Sequence, residues 1–134
     1  MRDGKWGIRP VKIDSNRDEI LVHKFGTIGS GGNSGFQAMN LAVQFGCRNI
    51  ILVGFDMHDR DGIHWHGKHD GNLRNPTRTS LARWRGVIDA QAEPLRRMGV
   101  RVLNASTISA LTAYPKMTFA EALAAVEEQP HVAC

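Results

Sequence analysis

Residues 49–56 read NIILVGFD, with an unbroken apolar run from Ile50 to Val53 that closes on Gly54, Phe55 and Asp56. A strand with one face in water alternates apolar and polar residues. An unbroken, β-branched run suits a strand covered on both faces, as in a parallel sheet. Parallel neighbours cannot be joined by a hairpin and need a crossover, usually a helix. The preceding segment, SGFQAMNLAVQFG at 34–46, supplies one. Phe36, Met39, Leu41, Ala42, Val43 and Phe45 give it a broad apolar face at helical spacing. Ser34 and Gln37 have the spacing of a capping box, and Gly46 is a natural stop.

The rest of the chain repeats this alternation. EILVHKF at 19–25 reads as a strand, preceded by a polar segment that predicts an arm or an irregular edge strand. Residues 57–79 form a long polar loop rich in His, Gly, Asp and Asn. A second helix is expected over 80–98, with Leu81, Trp84, Ile88, Ala92 and Leu95 on one face, a kink at Pro94 and an end at Gly99. VRVLNAS at 100–106 reads as a strand. TFAEALAAVEE at 118–128 reads as a helix capped by Thr118 and Glu121. The order predicts an α/β chain: one Rossmann-like three-layer domain over 1–134, with a small, mostly parallel sheet and right-handed crossovers. Three strands make a thin sheet. An edge strand from residues 5–13, or pairing with a second copy in a homo-oligomer, would complete it.

At 134 residues the chain can bury one core. No window approaches the roughly 18 apolar residues of a membrane span, so no membrane partner is expected. The N-terminus has no apolar stretch of the signal-peptide kind, so the expected location is the cytoplasm. Cys47 and Cys134 are too few for a disulfide framework, and Cys47 reads as a small buried hydrophobe. The formal charge of +4 owes part of its excess to Arg74, Arg78, Arg83 and Arg85, which favours anionic partners. No basic stretch is interleaved with regularly spaced aromatics, so nucleic acid is not the expected partner.

In open parallel sheets ligands bind beyond the carboxyl ends of the strands. Three segments would gather there: GSGGNSGFQ at 29–37, GFDMHD at 54–59 and NASTIS at 104–109. The first opens a helix, whose free N–H groups and dipole suit an anion. Gly31, Gly32, Asn33, Ser34 and Gly35 are therefore candidate ligand contacts. The stretch is not a Walker loop, because Phe36 and Gln37 follow Gly35 where Lys and Ser/Thr are required. It lacks the third glycine of G-x-G-x-x-G, and Phe36 breaks the pattern of a nucleophile elbow. Asp56 and Asn104, at the ends of two strands, are candidates for binding hydroxyl groups, with turn-capping as the alternative. The loop between them holds His58, His64, His66 and His69. Its H-x-H-x-x-H spacing is similar to the metallo-β-lactamase signature, but Lys68 stands where that signature has aspartate. We assign no metal ligands and no cofactor, and take His66 and His69 as the candidate acid/base residues.

The core GGNSGFQAMNLAVQFGCRNIILVGFDM resembles proteins related to archaeal 6-hydroxymethylpterin pyrophosphokinase and, more distantly, the family 42 sialyltransferases. The shared pattern is Ser34-Gly35 opening a helix, Phe45-Gly46 ending it, and a strand closing on Gly54-Phe55-Asp56. HWHGKH, LRNP and SALTAYPKMTFAEAL are similar to a set of phage- and prophage-encoded proteins. The resemblance implies a Rossmann-like fold in which Asn33, Ser34, Gly35 and Asp56 line a nucleotide pocket. It also implies that this chain corresponds to the C-terminal part of a larger family fold. The sialyltransferases use several tyrosines near the phosphate, whereas Tyr114 is the single tyrosine here.

The expected function is nucleotide or nucleotide-sugar binding, of glycosyltransferase-like ancestry. One alternative is a non-catalytic phage accessory or binding protein. Another is a metal-dependent hydrolase built on the His58–His69 loop.

Overall fold

The computed structural model describes residues 9–59 and 75–128. The chain divides into two compact units, Met1–Cys47 and Arg48–Cys134. Both are mixed α/β, and each contains one pair of parallel strands. Among the described residues no helix is long and apolar enough to cross a membrane.

In the first unit, β1 (Lys12–Asp14) pairs in parallel with β2 (Thr27–Gly29), in a register that sets Ile13 beside Ile28. Helix α1 (Ser34–Gln44) follows and buries Phe36, Met39, Asn40 and Val43. Phe36, Met39 and Val43 of the expected face are buried, with an unexpected amide in their midst, whereas Leu41 and Ala42 are half-buried and Phe45, at the C-cap, is exposed. Asn40 is fully buried, and its Oδ1 accepts from the backbone N–H groups of Leu21 and Gly29, both at 3.0 Å. Its Nδ2 donates to the Leu21 carbonyl at 2.8 Å. One turn on, Gln44 donates to the carbonyls of Leu21 and Thr27, both at 2.7 Å, and accepts from the Gly26 N–H at 2.9 Å. One turn earlier, Gln37 donates to the Ser30 carbonyl at 3.0 Å.

These amides overturn the expected strand at 19–25, which is irregular between β1 and β2. Its apolar composition suits a ladder, but the polar groups of Leu21 are satisfied by a helix side chain instead. α1 closes as expected at Gly46, in a Schellman arrangement. Cys47 N–H donates to Ala42 O, Gly46 N–H donates to Val43 O, and Gly46 has φ +86°. Cys47, expected to be buried, is exposed because it lies just past this stop.

In the second unit, β3 (Asn49–Leu52) pairs in parallel with β4 (Arg101–Asn104), Leu52 beside Asn104. The expected single helix over 80–98 is two: α2 (Arg78–Asp89) and α3 (Ala92–Arg97). Pro94 does not kink a continuous helix. It sits in the first turn of α3, where its missing N–H breaks no bond, and the chain turns at Ala90–Gln91. Leu81, Ile88 and Leu95 are buried in the unit's core. Asp89, at the end of α2, accepts from the backbone N–H groups of Thr112 and Ala113 at 3.1 Å. The Tyr114 hydroxyl donates to the Ile88 carbonyl at 2.6 Å. The segment after β4 is thus fastened to α2. Helix α4 (Phe119–Glu127) carries the expected capping box: Thr118 Oγ1 accepts from the Glu121 N–H, and Glu121 accepts from the Thr118 N–H at 2.7 Å.

Removing the Asn40 amide would take the acceptor from two backbone N–H groups of the first unit, those of Leu21 and Gly29, while the Leu21 carbonyl keeps Gln44. Asn40→Ala should cost about 3 kcal/mol of that unit's stability, since each buried orphan costs about 1–3 kcal/mol. Urea unfolding of the two proteins checks this.

Burial raises the Tyr114 hydroxyl above its ordinary pKa of 10.0, and the nearby Asp89 carboxylate adds to the effect. A folded-state pKa above the unfolded one means this group favours the fold below the unfolded value and loses that contribution as pH rises past it. Because Tyr114 is the only tyrosine, ultraviolet absorbance of tyrosinate should show no titration near pH 10 until the protein unfolds.

Candidate strand-end site

The second unit brings two of the three expected segments together. Asp56 follows β3, and the Ser106 hydroxyl donates to its Oδ1. Ser106 is buried at the end of β4, and its backbone N–H donates to Asn104 Oδ1 at 3.0 Å. Ser106 is therefore the link between the two carboxyl ends: its N–H holds Asn104 and its Oγ holds Asp56. Ser109 repeats the device. Its hydroxyl donates to the Phe55 carbonyl at 2.5 Å and accepts from the Leu111 N–H at 3.2 Å. The Ala110 N–H donates to the Asp56 carbonyl at 2.8 Å. Met57 takes φ +56°, an uncommon conformation for a residue with a side chain, which turns the chain sharply just after Asp56. His58 then contacts the Ile108 carbonyl at 2.9 Å.

Asn104 is fully buried, and its Nδ2 is a buried donor without a hydrogen-bond partner among the described residues. Its backbone is fully used. The N–H donates to Pro115 O at 2.9 Å, and the carbonyl accepts from Met117 N–H at 3.1 Å. A buried amide donor without an acceptor is costly, and such groups are uncommon in folded proteins. Ser106, Ser109 and Lys116 join this cluster without having been singled out in the sequence. Ser106 and Ser109 carried one signal: they lie two and five residues beyond Asn104 in the segment expected to reach the strand ends.

The glycine run lies in the first unit and is largely explained by packing. A Cβ on Gly31 would fall 2.1 Å from the Phe36 ring, and Gly31 has φ +55°. A Cβ on Gly29 would fall 2.2 Å from the Glu19 carbonyl oxygen. These two glycines admit a buried phenyl ring and a neighbouring backbone. Asn33, not Ser34, is the N-cap of α1: its Oδ1 accepts from the Phe36 N–H at 2.9 Å, and its Nδ2 donates to the Gly31 carbonyl at 3.1 Å. The expected capping box fails by one residue, because Gln37 reaches past the cap to Ser30. Ser34 is the exposed first residue of the helix, Gly35 is half-buried behind it, and Gly32 is exposed.

The candidate acid/base residues His66 and His69 lie outside the described residues, as does most of the histidine loop. Among the described residues no group of three or more His, Cys, Asp or Glu side chains is arranged to hold a metal ion. The loop's first described residue pair, Asp59 with Arg78 at 3.1 Å, is exposed, and the guanidinium holds Asp59 below the usual carboxylate range. The second unit also has a cavity of about 470 Å³ whose walls include Arg96, Val100, Arg101 and Tyr114. It opens at the start of β4 and shares no lining residue with the strand-end cluster.

No family model matches the chain, and no solved structure matches it. Over 50 residues it is 36% identical to a protein of Arabidopsis thaliana described as a probable RNA methyltransferase. The aligned stretch is 37% of this chain and 16% of that protein.

Replacing Asn33 by alanine should lower stability by about 1 kcal/mol through loss of the cap. Ser34→Ala should change it by less than about 0.5 kcal/mol. Equal losses in denaturant titrations of the two variants would contradict the cap assignment.

Proposed function

We propose that the chain is a nucleotide- or nucleotide-sugar-binding domain of Rossmann-like, glycosyltransferase-like ancestry, with its ligand at the carboxyl ends of β3 and β4. The observation that carries this reading is the Asp56–Ser106–Asn104 cluster, in which a buried Asn104 Nδ2 lacks an acceptor. A carboxylate accepts from a sugar hydroxyl, and an amide N–H donates to one. Asp56 is the group a ribose or sugar hydroxyl would reach first, with the Asn104 Nδ2 behind it as a buried donor still without an acceptor among the described residues. The parallel pairing of β3 and β4 and the helices between them fit the open-sheet architecture in which strand ends bind nucleotides. The resemblance to the pyrophosphokinase-related proteins and the sialyltransferases points to the same ligand class. The short likeness to a probable RNA methyltransferase adds no substrate.

A non-catalytic binding protein is the second reading, and a specific observation favours it. Gly31 and Asn33, two of the five candidate cradle residues, are occupied by the protein's own packing and capping. A domain that retains the strand-end hydroxyl site without a working cradle would bind a ligand without transferring from it. We propose a cytoplasmic location in either case.

Thermal unfolding with millimolar CMP, CDP, UMP, UDP or UDP-sugar tests the reading. At least one should raise the unfolding temperature, and Asp56→Asn should weaken that ligand about tenfold, the equivalent of about 1.4 kcal/mol. No shift with any of these ligands overturns it.

A further inference from the structure

Lys116 is bonded to this cluster, and the expected site did not include it. Its backbone lies beside Asn104, on the edge of β4 away from β3, in an isolated parallel bridge. The hydrogen bonds of Pro115 and Met117 to Asn104 fix it there. From that position its Nζ donates to the Ser109 carbonyl at 2.5 Å. Ser109 in turn holds the Phe55 carbonyl, one residue before Asp56.

A lysine ammonium has three donors, and this one spends one of them on a neutral carbonyl. No carboxylate of the described residues forms an ion pair with it. Holding a long side chain in one conformation costs rotamer entropy. A surface lysine without a counter-charge has little to offset that cost. An anion supplied from outside would offset it, and the carboxyl ends of the strands are where ligands bind in open parallel sheets.

We propose that Lys116 is the anion-binding residue of the strand-end site and that it receives a phosphoryl oxygen of the ligand. This rests on the nucleotide-binding reading for the identity of the ligand, but not for its charge. It relocates the phosphate from the glycine run, whose space is filled by Phe36, to the segment after β4.

The test measures dissociation constants by calorimetry for uridine, UDP, cytidine, CMP and inorganic pyrophosphate. The proteins are the full chain, Lys116→Met, Lys116→Arg and Lys24→Met as a charge control, each checked for an unchanged circular dichroism melt. The wild type should bind the nucleoside phosphates at least tenfold more tightly than the nucleosides. Lys116→Met should abolish that preference without changing nucleoside affinity. Lys116→Arg should keep most of it, and Lys24→Met all of it. Nucleotide binding that is unchanged in Lys116→Met overturns the proposal and leaves the nucleotide-binding reading intact. Pyrophosphate binding that depends on Lys116, with no nucleoside or nucleotide binding, supports the anion site and overturns the nucleotide reading. No binding of any of the five probes overturns both.

Discussion

Backbone N–H and C=O groups withdrawn from water must find partners, and in this chain side-chain amides do that work alongside the strand ladders. Asn40 is the clearest case. It sits at the centre of the apolar face of α1, where a leucine would give more hydrophobic stabilisation, and it pairs groups of Leu21 and Gly29. Gln37 and Gln44, spaced three before and four after it, extend the same stripe. β2 pairs with β1 on one edge, and its Thr27 carbonyl and Gly29 N–H go to α1.

The second unit meets the same requirement differently, and the difference creates its candidate site. β3 and β4 pair conventionally, so the amides are not needed along the ladder. They appear at its end. Asn104 uses its Oδ1 to orient Ser106, whose hydroxyl holds Asp56. The remaining Nδ2 is buried and unpartnered among the described residues. The segment from Ser109 to Lys116 is anchored to α2 through Asp89 and Tyr114, so the groups it carries are held near the strand ends by bonds made elsewhere. An anchored segment that places polar groups over strand ends is a physical basis for a ligand site.

Much of the local structure was legible in order along the chain. The face of α1, the stops at Gly46 and Gly99, and the Thr118–Glu121 box depend on neighbours within one turn, so spacing alone predicts them. The errors arose where competing partners were distant. EILVHKF has the composition of a strand, but its polar groups go to Asn40 and Gln44, about twenty residues away. Ser34 and Asn33 both have side chains able to cap α1, and Asn33 takes the role while also donating to Gly31. Residues 80–98 form a continuous helical pattern, yet the chain turns at Ala90–Gln91 and starts α3 so that Pro94 costs no hydrogen bond.

The sequence by itself determined the order α1, β3, α2, β4 and α4, the parallel pairing of β3 with β4, and the place of Asn104 at the end of β4, with Asp56 four residues past Leu52, because these follow from periodicity and from the short reach of local hydrogen bonds. Tertiary structure alone decided that Gly31 makes room for Phe36, that Asn40 replaces a strand partner, and that Ser106 and Lys116 join Asn104. Those outcomes depend on which distant groups come within about 3 Å, the reach of a hydrogen bond, and residue spacing carries no record of that.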